Sequence, residues 1–247
     1  MIASLPMYDW PEVQAANDRL WVGIRDRLRA EGLVAPEGLC RDGRAYDWTA
    51  PDLLLSQTCG FPYRTALHGK VALVGTPDYG LDGASAGHYY SVLVVRVERR
   101  GDWQDFIGGT LAINGYDSQS GWAAPQNHAA GIGCRFERIL VTGAHRDSAL
   151  AVAEGRADIA AIDAMTWRLV EAHRPDVARE LRICARTDPT PGLPLISAFG
   201  DRADRLCAAF AETVAGLSAD DRSLLHLKGV VRIPSDAYLA VPTPPGT

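Results

Sequence analysis

The stretch Asn114-Gly115-Tyr116-Asp117-Ser118-Gln119-Ser120-Gly121-Trp122 gathers residue types that can hold an anion without a formal cation. It lies where a strand should end and a helix begin. A helix start presents unsatisfied N–H groups and the positive end of the macrodipole, so it is a ready anion site. Ser118 and Ser120 add hydroxyl donors, Asp117 and Gln119 belong to the same polar run, and Gly121 would let a ligand approach the backbone. Ser and Asp are also favoured helix caps, so a cap without a ligand is the competing reading. A second run, Leu55-Ser56-Gln57-Thr58-Cys59-Gly60-Phe61-Pro62-Tyr63, can present Ser56, Gln57 and Thr58 to the same ligand from a second lobe, or can be a plain strand-to-helix turn. In Gly143-Ala144-His145-Arg146-Asp147-Ser148, His145 can donate to an anion, though surface and capping roles suit the same residues. Asp163 ends Ala160-Ala161-Ile162. A carboxylate at the C-terminal end of a buried strand points at the crevice of an α/β sheet. There it could bind a cationic part of a ligand, orient a donor, or cap the next helix. Tyr8, Trp10, Tyr79, Tyr89, Tyr90, Trp122 and Trp167 lie near these turns and can wall a pocket or simply pack.

The elements that must position these groups alternate. Strands are expected over residues 2–7, 52–56, 71–75, 91–97, 110–114, 139–142, 159–163 and 181–185. Leu53-Leu54-Leu55 reads as a strand buried on both faces. Helices are expected over 12–30, from 119 with an interruption near Pro125, over 148–154 closed by Gly155, over 164–173 and over 202–217. The tail 242–247 reads as loose. The alternation gives an α/β class with largely parallel sheets.

The chain has 247 residues, a formal net charge of −5, 22% charged and 47% hydrophobic residues. That length can bury one full core or two smaller ones. Mild acidity argues against nucleic acid as a partner, and no apolar run approaches a membrane span. Five scattered cysteines, Cys40, Cys59, Cys134, Cys184 and Cys207, form no CxxC pair and read as reduced, mostly buried thiols, with Cys59 the one candidate for catalysis. No phosphate loop, GxGxxG, HExxH or GxSxG occurs, so neither cofactor nor metal is expected.

Taken together, these pieces resemble the phosphonate/phosphate substrate-binding proteins of ABC transporters. Tyr89-Tyr90-Ser91-Val92-Leu93-Val94-Val95 is similar to the family's hinge strand, Asp105-Phe106-Ile107-Gly108-Gly109 to its Asp-Leu-x-Gly-Lys turn, and Asp117-Ser118-Gln119-Ser120-Gly121 to its Ser-Thr-Ser-Gly anion loop, with Gln119 in place of Thr. Gly143-Ala144-His145 and Ala153-Glu154-Gly155-Arg156-Ala157-Asp158-Ile159-Ala160-Ala161-Ile162-Asp163 resemble its next two signatures. The resemblance implies a type II periplasmic-binding-protein fold: two α/β lobes, the first discontinuous (1–94 plus 190–247), the second over 95–189, joined by two strands near 93–97 and 181–185. It implies a small oxyanion held by Ser118 and Ser120, with His145 and Asp163 on the same lobe and Tyr8, Gln57 and Thr58 from the other. It also implies a periplasmic location and an ABC permease as partner; the sequence from Met1 onward reads as no secretory signal, which suits either a cytoplasmic protein or one whose leader has been removed. A binding role without catalysis is the expectation. The alternatives are an enzyme or a sensor on the same fold, with Asp163, His145 or Cys59 as the available acid, base or nucleophile.

Overall fold

Leu53, Leu54 and Leu55 are all buried, as an unbroken apolar run demands of a strand covered on both faces. The computed structural model describes residues 1–245. The chain divides into two units, Met1–Gly87 with Pro191–Leu239, and His88–Thr190 with 240–245.

The first unit carries a five-stranded sheet in the order Ile2–Ala3, Leu53–Gln57, Leu195–Ser197, Ala72–Asp78, Gly229–Val231. The first pair is parallel and the remaining pairs are antiparallel. The helix Gln14–Ala30 buries Ala16, Leu20, Trp21, Ile24 and Leu28, the stripe its spacing predicts. It packs on the helix Ala203–Ala215, which buries Leu206, Ala209, Phe210 and Val214. Gly23 permits that approach: a Cβ there would sit 2.5 Å from Thr213 Cγ2.

The second unit's sheet runs Arg138–Val141, Thr110–Ile113, Ile159–Asp163, Ser91–Arg96, Leu181–Arg186. Its first three strands are parallel. Ser91–Arg96 is antiparallel to both neighbours. Both sheets are therefore mixed, not largely parallel. Each contains a strand that enters the sheet straight after the chain has crossed from the other unit, and an antiparallel neighbour needs no crossover helix.

Two of the three crossings fall at 87/88 and 190/191, where His88–Tyr89 and Thr190–Pro191 form a two-stranded ribbon, and the third falls at 239/240. A boundary at 94/95 would cut Ser91–Arg96, a strand paired along its length inside the second unit. For the same reason the strands near 93–97 and 181–185 are sheet neighbours within that unit, and the ribbon takes the linking position. The tail also departs from expectation. Residues 240–245 belong to the second unit, Pro242 O accepts from Asn127 Nδ2 at 2.8 Å, and Pro244 is buried. Pro244 and Pro245 wall a cavity of about 270 Å³ with Trp122, Gln126 and Arg135. Residues 246 and 247 lie outside the described part.

Two helices begin differently from their predicted starts. His145–Ala153 starts three residues before Ser148, whose hydroxyl sits inside the first turn, 2.7 Å from Thr142 Oγ1. Gly155, at φ 74°, ends it as expected. Pro125 does not interrupt the segment after Ser118. It occupies the first turn of Ala124–Ala130, where its missing N–H is not needed.

Candidate functional site

The anion loop of the sequence becomes a π-helical turn, Gln119–Ala123, running directly into Ala124–Ala130. Such turns recur at functional sites. Ser118 caps it in an extended conformation, and its Oγ accepts from Gly121 N at 2.9 Å. The cap reading is thus realised, while the Ser118 hydroxyl proton still has a direction in which to donate. Ser120 Oγ lies 2.7 Å from His145 Nε2, and Ser120 O accepts from Ser91 Oγ at 2.8 Å. Gly121 is explained by packing instead of ligand approach: a Cβ would fall 2.0 Å from Asn114 Oδ1 and 3.2 Å from His145 Cε1. Gln119 is buried within the turn. Asp117 is exposed and folds its carboxylate back over Gly115.

Part of His145 reaches solvent, yet its Nδ1 is buried. Burial pushes the ring pKa down to about 4, and the Ala161 carbonyl pulls it back to a lesser extent. The ring is therefore neutral at pH 7. With its proton on Nε2 it donates to Ser120 Oγ, and the Ser120 O–H is then released to donate to an oxyanion. The opposite tautomer would draw the serine proton toward the ring.

This neutrality ties stability to pH. The folded ring titrates at about 4, and an unfolded one at about 6.5. Between those values the unfolded chain holds more protons, so stability rises with pH. The contribution is complete above the unfolded value and is lost as pH falls toward the folded one. Urea midpoints should climb over this window, and His145→Gln should flatten the climb. An unaltered climb in the variant would remove His145 as its source.

Asp163 is buried, and its Oδ1 accepts from Met165 N at 2.8 Å and Thr166 N at 2.9 Å. It caps the helix Ala164–His173. Its strand packs against the π-helical turn, so 118–121, His145 and Asp163 gather within one unit.

The remaining candidates sit in the first unit. Tyr8 packs edge-on against Tyr79 with ring centroids 5.0 Å apart. Gln57 Nε2 donates to Tyr79 Oη at 3.1 Å and to Leu193 O at 3.4 Å. Ser56 Oγ is 2.8 Å from Ser4 Oγ and lies inside the unit's core, which weakens its claim to a ligand. Thr58 is 0% exposed, and its Oγ1 has no hydrogen-bond partner. An unsatisfied buried hydroxyl is costly, and Thr58, like Trp48 Nε1 in the same unit, is left without a partner. All five cysteines are free. Only Cys207 is buried, Cys134 is exposed, and the others, Cys59 included, are half-buried.

Sequence reasoning missed Ser91 and Thr187. A serine heading a β-branched run carries no signal of which acceptor its side chain meets.

A family profile described as the periplasmic phosphonate substrate-binding protein of ABC transporters matches residues 55–229, more than half of the chain. The chain belongs to this family. Its members are the binding components of transporters. Among proteins with curated functions, none matches the sequence at a significant level. Similar solved structures include a Prochlorococcus marinus protein in complex with methylphosphonate, 14% identical, TM-score 0.72, covering 96% of this chain and 94% of that one. A binding-protein component of an ABC phosphonate transporter from Pseudomonas aeruginosa is 17% identical, TM-score 0.69, with 96% and 82% covered. A Xanthomonas citri protein bound to ATP is 16% identical, TM-score 0.69, with 98% and 97% covered. These likenesses establish the type II periplasmic-binding-protein fold. Among the described residues, no helix is long and apolar enough to cross a membrane.

Proposed function

We propose that this chain is a solute-binding protein that takes a small oxyanion, a phosphonate, phosphate or phosphate ester, for an ABC-type uptake system with a permease as partner. The observation that carries the reading is the Ser120–His145 pair at 2.7 Å on a π-helical turn capped by Ser118. It places two hydroxyls and a neutral imidazole together, with no formal positive charge. Such a site recognises an anion by oriented dipoles and hydrogen bonds, which are strongest when the acceptor is charged. Asp163 would take a cationic part of the ligand or keep the loop's neighbour in place. From the first unit, Tyr8, Gln57 and Thr58 are proposed as further contacts. An enzymatic reading would use Ser120 as nucleophile and His145 as base, but a ring with a pKa of about 4 is a weak base at neutral pH.

A thermal-shift series with methylphosphonate, inorganic phosphate, sulfonates and phosphate esters tests the proposal. A ligand that binds only the folded protein adds roughly 2.7 kcal/mol at about 100 times Kd. At least one oxyanion should raise the melting temperature in this way. No shift with any of them at millimolar concentration would contradict the reading.

A further inference from the structure

Ser91 opens an inner strand of the second unit's sheet, the fourth of five, and is 1% exposed. Thr187 holds its backbone twice. Ser91 N donates to Thr187 Oγ1 at 3.0 Å, and Thr187 N donates to Ser91 O at 2.9 Å. On the other side its register partner is Asp163. With the backbone fixed, the Ser91 hydroxyl donates to the main-chain carbonyl of Ser120 at 2.8 Å. That carbonyl shares a rigid peptide plane with the N–H of Gly121. The N–H end of the plane is held in turn by Ser118 Oγ at 2.9 Å. The Ser120–Gly121 peptide is therefore gripped at both ends, by Ser91 on its oxygen and by Ser118 on its nitrogen.

Orientation matters here because a carbonyl oxygen is the negative end of the peptide dipole. Turned toward a bound oxyanion, it would repel it. Drawn back to Ser91, it leaves the Ser118 and Ser120 hydroxyls as the groups the loop offers. A site assembled before the ligand arrives avoids the ordering cost at the moment of binding.

We propose that Ser91 is a positioning residue for anion binding, holding the Ser120–Gly121 peptide so that its carbonyl is withdrawn from the anion. Thr187 serves Ser91 by clamping its backbone. The inference rests on the reading of Ser118–Gly121 as the anion loop.

Calorimetric titration with methylphosphonate, and separately with inorganic phosphate, tests it on the full chain. Ser91→Ala should weaken binding about tenfold, the equivalent of about 1.4 kcal/mol. In a Ser120→Ala background the same change should still cost several-fold, because the carbonyl that Ser91 holds belongs to the main chain and is kept. Ser91→Cys keeps the side-chain shape, with a somewhat larger atom at its tip, and is a weak donor. It should melt as the wild type does and still lose affinity. Wild-type affinity in both Ser91 variants would overturn the proposal. So would the disappearance of the loss in the Ser120→Ala background, which would mean that Ser91 acts through the Ser120 hydroxyl and not through the carbonyl. Wild-type protein that binds neither probe would overturn the anion-loop reading itself, and with it the role of Ser91.

Discussion

Ser120→Ala is expected to weaken methylphosphonate binding by about 10- to 160-fold, the equivalent of roughly 1.5–3 kcal/mol for a hydrogen bond to a charged group. The unliganded protein should lose far less. The Ser120 hydroxyl faces His145 Nε2, and a neutral hydrogen bond is worth a net of about 0.5–1.5 kcal/mol. The substitution leaves the Ser120 carbonyl in place for Ser91 and the Gly121 N–H in place for Ser118, so the turn itself should persist. Calorimetry gives the affinity and urea denaturation the stability. Equal losses in the two measurements would make Ser120 a structural residue.

Leu93→Ala should destabilise the protein by about 2–5 kcal/mol, a large part of the roughly 5–15 kcal/mol that a folded domain commands. Leu93 is 0% exposed on an inner strand of the second unit's sheet. Its register partners on the two flanking strands are Ala161 and Ala185. Opposed residues of an antiparallel pair share a face, so Leu93 stands between two small side chains that cannot expand into the space it leaves. The cavity would persist, and the cost should fall toward the upper end of the range. A urea-derived loss under about 1 kcal/mol would show that the sheet collapses around the gap after all.

The sequence was most legible where one element dictates its own environment. The strand Ile159–Asp163 and the helix Ala164–His173 fall on their expected bounds, because an apolar run ends at a capping Asp and a periodic helix follows. The β-branched run beginning at Ser91 and the triple leucine at 53–55 were equally plain. Leu195–Ser197 and Gly229–Val231 were not. Three residues carry no periodicity, and a strand inserted between two others is decided by distant pairing. Mixed sheets escaped notice for the same reason.

At the candidate site the residue types were readable and their partners were not. Ser118, Ser120 and His145 were picked out as donors, but the bond between Ser120 and His145 joins residues 25 apart. The π-helical turn differs from an α-helical start by one residue of hydrogen-bond spacing, as in Ala123 N to Ser118 O at 3.0 Å, which no composition signals. Gly121 illustrates the limit most clearly. Its type suggested room for a ligand, whereas its surroundings show Asn114 occupying the place of a side chain.

The central claim is that an oxyanion sits on the turn at 118–121 beside His145. Nitrogen-labelled protein titrated with methylphosphonate and followed by NMR tests this directly. The account predicts saturable shifts of the amides of residues 119–122 and of the His145 ring nitrogens, strongly reduced in Ser120→Ala. Saturable binding that leaves these resonances unmoved and shifts others would contradict it.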